Sequence, residues 1–294
     1  MKNFSKILII LLLVTYGCTT SSAVQSTPTE EPTPSIEELM VMFSSPDHND
    51  RVHAAYEAMY HSEDPNKTIL LPYLVEALSG PDYSDRGGRK EFAAQSIREF
   101  EIYDETAYNI FVSWINEGSA SDGEILQAIY ALQAFPGHAT KAKLGLIRSL
   151  DNDHSHVKQA AIQLLSLIGE KDAIPSILKV ALSEEDESWI RQDALRALAI
   201  FGADSECTVT NLIPLLNSND PEIRVWAASA IYFATDKAFP SDDLNWELKD
   251  WHFSSDFTKS TEARTGDYLI VEQARNWWQE TGQYKNWQKC GSEK

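Results

Sequence analysis

Apolar positions through the middle of this chain recur with the spacing of one helical face, and the same stretch returns at a fixed interval. VKQAAIQLLSLIG from Val157, IRQDALRALAIFG from Ile190 and IRVWAASAIYFAT from Ile223 align without gaps at a step of 33 residues. Ala161, Ala194 and Ala227 share one place; Leu165, Leu198 and Ile231 share another, four residues on. A small and a large apolar side chain therefore sit on one face of each helix. Looser copies begin at Arg51 (RVHAAYEAM), Arg89 (RKEFAAQSI) and Glu124 (EILQAIYAL), which makes six units. Second helices fall between them, among them TILLPYLVEAL from Thr68, HATKAKLGLIRSL from His138 and DAIPSILKVAL from Asp172. Pro72 and Pro175 stand early in these helices, where a missing amide costs little. The polar turns SSPDHND, LDNDHSH, SEEDES and NSNDPE supply Asp, Asn and Ser for helix caps. Ser35 with Glu38 has the spacing of a capping box opening the first helix. With no comparable strand pattern, the chain reads as an all-α solenoid of about six helical pairs over residues 36–235.

Beyond residue 235 the period breaks. Pro240, Trp246 and Trp251 fall in mixed polar sequence, and EARTGDYLIVEQARNWWQETGQYKNW then predicts one last helix with an aromatic tail. Five of the eight tryptophans lie in this region, 236–294. A stack of repeats needs an atypical terminal unit to cover its open apolar face, so this segment is expected to be a Trp-rich cap. The alternative is that Trp277, Trp278 and Trp287 form an aromatic platform for a glycan such as peptidoglycan, or for a peptide.

The repeated units carry the pattern Asp-x-x-x-(Val/Ile)-(Arg/Lys)-x-x-Ala-x-x-x-Leu, best seen at Asp153, Asp186 and Asp220 with Lys158, Arg191 and Arg224. In this the chain resembles HEAT repeats of the phycobilisome-lyase type, with their armadillo-like fold. The resemblance implies that these acidic and basic residues are structural, stacking as a ladder between repeats. The register is uneven, because Asp153 and Asp186 lie five residues before their basic partner and Asp220 lies four before. Function is less determined, since such helical pairs serve as scaffolds, assembly factors and occasionally enzymes. The lyases of this type attach bilins to antenna proteins in the cytoplasm.

The N-terminus points elsewhere in the cell. Lys2 and Lys6 precede an apolar block, Ile7 to Val14, too short for the roughly 20 residues of a spanning helix. Gly17 follows, so residues 1–17 read as a cleaved export signal. Thr15-Tyr16-Gly17-Cys18 resembles the lipobox of bacterial lipoproteins, which implies acylation of Cys18 and a membrane anchor. Gly17 and Cys18 carry that resemblance, while Thr15 and Tyr16 depart from it. Residues 19–35 hold nine Ser or Thr and three Pro, too little apolar surface to offset ordering, so 18–35 is expected to be a disordered tether. Thr19, in place of Asp, favours the outer membrane facing the periplasm if the organism is Gram-negative.

Charge narrows the partners. The formal net charge is -19, and removing Lys2 and Lys6 with the signal makes it -21. A chain this acidic disfavours nucleic acid and anionic headgroups, both of which call for clustered Lys and Arg. An exported chain can form disulfides, but whether Cys207 and Cys290 meet is left open, because sequence does not give the alpha-carbon distance. No catalytic constellation emerges. His154 and His156 beside Asp151 and Asp153 would be the metal candidates, although a helix-capping turn attracts the same residues. A calcium loop from Asp151 fails for lack of Gly and Glu at its sixth and twelfth places, which hold His156 and Ile162. Gly87-Gly88 lacks the Lys-Ser/Thr of a phosphate loop. The sequence thus predicts a non-enzymatic scaffold in the cell envelope that binds another protein and needs no cofactor. A glycan binder and a metal-dependent or lyase-like enzyme are the alternatives.

Overall fold

Helices make up every regular element among the described residues of the computed structural model, which are 33–80, 88–118, 120–240 and 269–290. The chain divides into two compact units, Met1–Thr33 and Pro34–Lys294. The expected export signal, Cys18, most of the expected tether, Trp246 and Trp251 lie outside the described residues. In chain order the helices are α1 (Ile36–Phe43), α2 (His48–Ala58), α3 (Leu71–Ser79), α4 (Arg89–Phe100), α5 (Glu105–Glu117), α6 (Asp122–Ala134), α7 (Pro136–Ala139), α8 (Lys143–Ser149), α9 (Ser155–Leu167), α10 (Ile174–Leu182), α11 (Ser188–Phe201), α12 (Val209–Leu212), α13 (Pro221–Ala234) and α14 (Leu269–Glu280).

These helices form two layers. α2, α4, α6, α9, α11 and α13 make a first row in which each helix packs on the next. α1, α3, α5, α8 and α10, followed by α12 with the 3-10 turn Ile213–Asn217, each pack on the first-row helix that comes after them in the chain. Six pairs result, from α1/α2 to α12/α13, with α14 added against the far end of α13. The sequence frame groups each first-row helix with the one following it; the packing groups it with the one before. The count of six is the same because α1 supplies the missing partner at the start.

Local sequence explains the helix boundaries. At α1 the capping box is made in both directions, Ser35 N donating to Glu38 Oε2 at 2.7 Å and Glu38 N to Ser35 Oγ at 3.3 Å. Its hydrogen bonds hold the Glu38 carboxyl below the usual range. Ser121 and Glu124 repeat the box at α6, and Asp47, Asp104 and Asp220 cap α2, α5 and α13. α9 and α11 differ. Their cap positions are His154 and Glu187, neither of which makes a side-chain cap. The unequal Asp spacing is the cause, since Asp153 and Asp186 stand one residue ahead of the cap position that Asp220 fills.

Alanine governs the spacing of the first row. Ala128, Ala161, Ala194 and Ala227 recur at the 33-residue step and are fully buried, as are Leu132, Leu165, Leu198 and Ile231 four residues on. The gapless frame therefore starts one unit earlier than the three copies evident from their Asp and basic residues, with Ile125 where the others carry Lys or Arg. Ala54 and Ala93 are likewise fully buried in α2 and α4. The second layer has its own close approach at Gly145 in α8, where a Cβ would stand 2.3 Å from the Ile115 carbonyl oxygen of α5.

After α13 the chain turns away through two consecutive left-handed residues, Asp236 and Lys237. Phe239 then folds back to lie near Trp277, with ring centroids 5.5 Å apart. α14 buries Ile270, Val271, Ala274 and Trp277, and its Arg275 donates to the Leu216 carbonyl at 2.5 Å. Cys207, in the turn after α11, is disulfide-bonded to Cys290 beyond α14, with alpha carbons 4.9 Å apart and a sequence separation of 83. Closing a loop of that length is worth on the order of 4 kcal/mol in chain entropy. The possibility left open by the sequence is thus decided, and the cap is covalently fastened to the array.

Overpacking the alanine position should be costly. Ala194→Trp is expected to lower stability by about 1–3 kcal/mol or more, read as an earlier urea midpoint. An unchanged midpoint would place that alanine in water.

Candidate functional site

The repeat residues singled out by the sequence lie at the loops joining the two rows. Lys158 pairs with Asp186 of the next unit, and Ser188 donates to Asp220 of the unit after that. Arg191 and Arg224 instead turn back to carbonyls of their own unit, Ala181 at 3.3 Å and Ser218 at 2.7 Å. Arg51 does the same with Ser45 at 2.6 Å. Unit-to-unit bonds are also made by Lys90 with Glu124 at 3.3 Å, Asn152 with Asp122 at 2.8 Å and Ser155 with Glu187 at 2.8 Å. His154 and His156 lie 5.8 Å apart by ring centroid, and His156 packs against Trp189 at 5.5 Å. Asp151 is engaged by Lys179 at 2.7 Å. Among the described residues no three His, Cys, Asp or Glu side chains gather into a set that could hold a metal.

Trp277, Trp278 and Trp287 come together at the end of the array. Trp277 is buried against Phe239, and Trp287 closes over it while donating its indole N–H to the Gly282 carbonyl at 2.9 Å.

A different set of side chains, not singled out by the sequence, runs along the first row. On α11, Asp193 and Arg196 are three residues apart and so share a face. Asp193 accepts a hydrogen bond from Gln159 of α9 at 2.6 Å. Burial pushes its carboxyl above the ordinary range, opposed by the bond from Gln159, the Arg196 charge and Gln163. Arg196 is only 5% exposed and places its guanidinium 5.6 Å from the Trp226 ring of α13. The same arrangement recurs nearer the N-terminus. Arg98 of α4 lies over Tyr130 of α6 at 5.5 Å and donates to Gln127 at 3.3 Å, while Tyr56 of α2 meets Phe92 of α4 at 5.3 Å. Burial raises the Tyr130 hydroxyl pKa and the Arg98 charge draws it back.

This face is built from residue types that are common at protein interfaces. It carries half-buried aromatic rings, side-chain amides and the partly exposed Arg98, while Arg196 is almost wholly buried beside Trp226. The signal is present in the sequence. Ala160, Asp193 and Trp226 occupy one place of the 33-residue frame, and Gln163, Arg196 and Ser229 another. Comparing only the apolar positions passes over them.

Two overlapping stretches, residues 110–199 and 143–232, match the family model described as HEAT repeats. Residues 110–232 are thus similar to HEAT repeats, and the array as a whole is an α-solenoid of helical pairs. A phycocyanobilin lyase subunit alpha of Picosynechococcus is 26% identical over 192 residues, covering 58% of this chain and 68% of the relative. Among solved structures, an engineered protein aligns at a TM-score of 0.52 and 20% identity, over 68% of this chain and 96% of its own. The complex of CpcE and CpcF of phycocyanin lyase from Nostoc aligns at 0.49 and 20% identity, over 71% and 80%.

Within the array, Asp193 makes stability depend on pH. A carboxyl raised in the folded state contributes fully below the unfolded carboxylate pKa, and the contribution is lost as pH rises through the folded pKa. Asp193→Asn should therefore gain stability relative to the parent as pH climbs from about 4. A difference that stays flat from acid to neutral pH would show that the carboxylate is hydrated.

Proposed function

We propose that this protein is a lipid-anchored, non-enzymatic HEAT scaffold of the bacterial cell envelope that holds another protein along its first helix row. The observation that carries the reading is the string of aromatic and Arg side chains crossing that row from Tyr56 to Trp226, because interface energy concentrates in Tyr, Trp and Arg. The Cys207–Cys290 bridge supports an oxidising compartment. That agrees with the export signal and the lipobox-like Gly17-Cys18. A relative named as a lyase subunit is by name one part of an assembly, which favours a protein partner here as well.

The name of that relative also favours a second reading, a lyase-like role in attaching a chromophore to a protein. Against it stands the compartment, since the lyases this chain resembles work in the cytoplasm, where disulfides are reduced.

One experiment addresses both. Tagged full-length protein made in a bacterial host and exported should fractionate with membranes, and Cys18→Ser should release it to the soluble fraction. Crosslinked capture from envelopes should return a defined protein, depleted at least severalfold by Trp226→Ala with Tyr130→Ala. A soluble parent, or capture indifferent to both ring deletions, sinks the proposal. Covalent bilin transfer by the purified protein would establish the second reading instead.

A further inference from the structure

The tryptophan cluster of the cap contains a cation seat. Trp277 and Trp287 meet edge to face, with centroids 6.0 Å apart and planes at 71°, and Trp278 lies 6.3 Å from Trp287. Into this corner reaches the Lys285 ammonium, 5.6 Å from the Trp277 centroid and 5.4 Å from that of Trp287. Two rings contacting one cation at these distances form a two-walled aromatic cage, and tryptophan is the strongest of the ring partners.

The cage is built rather than incidental. A Cβ on Gly282 would stand 2.7 Å from Trp278 and 3.0 Å from Trp277, so the backbone is pressed against both rings from behind. The carbonyl of the same residue accepts the Trp287 indole N–H, and Phe239 backs Trp277. Lys285 itself is exposed and follows the Gly282–Tyr284 turn, five residues before the Cys290 bridge.

We propose that this corner binds small quaternary ammonium groups and that Lys285 is its tethered occupant, which a ligand must displace. A primary ammonium is compact and strongly hydrated, so it gives up more water on entering the cage than a quaternary ammonium does. The lysine holds the seat because it is present at the high effective concentration of a short linker. The proposal does not depend on the first-row face.

The test uses the full chain and tetramethylammonium, followed through the tryptophan indole N–H signals by NMR. Lys285→Ala should bind it about tenfold more tightly than the parent, with shifts at Trp277 and Trp287. Trp287→Leu in the Lys285→Ala background should abolish the binding while circular dichroism shows the helices intact. tert-Butanol, of similar shape but uncharged, should not shift the signals. Equal affinity in parent and Lys285→Ala, binding in neither, or equal binding of tert-butanol would each overturn the proposal.

Discussion

Helices of the first row can lie close against one another because each buries an alanine at the same place of its face. Ala54, Ala93, Ala128, Ala161, Ala194 and Ala227 are fully buried, one in each first-row helix, and a larger apolar residue four positions on fills the space beside most of them. The bonds between units follow from that approach. Gln159 reaches Asp193, Arg98 reaches Gln127 and Lys158 reaches Asp186, each spanning from one helix or loop to the next. Each is modest in energy, and the exposed ion pairs least of all. What they add is register, fixing how far one unit slides along its neighbour.

The fold is largely legible in the sequence because a period of 33 residues with matched alanines and leucines suits stacked helical pairs and little else. Three features are not legible there. The pairing of helices across loops is ambiguous by one partner, since a repeat in sequence has no marked beginning and only packing shows which neighbour a helix prefers. α5 does not stand out because ETAYNIFVSWINE buries Ala107, Tyr108, Phe111, Trp114 and Ile115 outside the 33-residue frame of the first row. The Cys207–Cys290 bridge is undecidable from sequence, because a separation of 83 residues carries no information about distance. The first-row face lies between these cases: Asp193, Arg196 and Trp226 are in frame, but their meaning depends on facing the same way as Gln159 and Tyr130.

Likeness and disulfide chemistry point in different directions. The chain is 26% identical to a protein named as a phycocyanobilin lyase subunit, whereas the Cys207–Cys290 bridge is of a kind that persists in oxidising compartments. A stack whose stability comes from contacts between adjacent units can change its surface residues without disturbing its core. The place next to the alanine row varies between units: it holds the buried Ala160 and the half-buried Asp193 and Trp226. Such a separation lets one framework carry different surfaces.

The two ends of the array are secured unequally. At the C-terminal end, the bridge from Cys207 to Cys290 closes α12, α13 and α14 into a covalent ring, whereas the described residues of the α1 end are held by non-covalent contacts, packing, the capping box and the His61–Pro34 hydrogen bond among them. Tension arriving along the chain from its N-terminal side would peel α1 first and proceed unit by unit. The peeling would stop short of the ring, leaving a clamped remnant from which the stack can rewind.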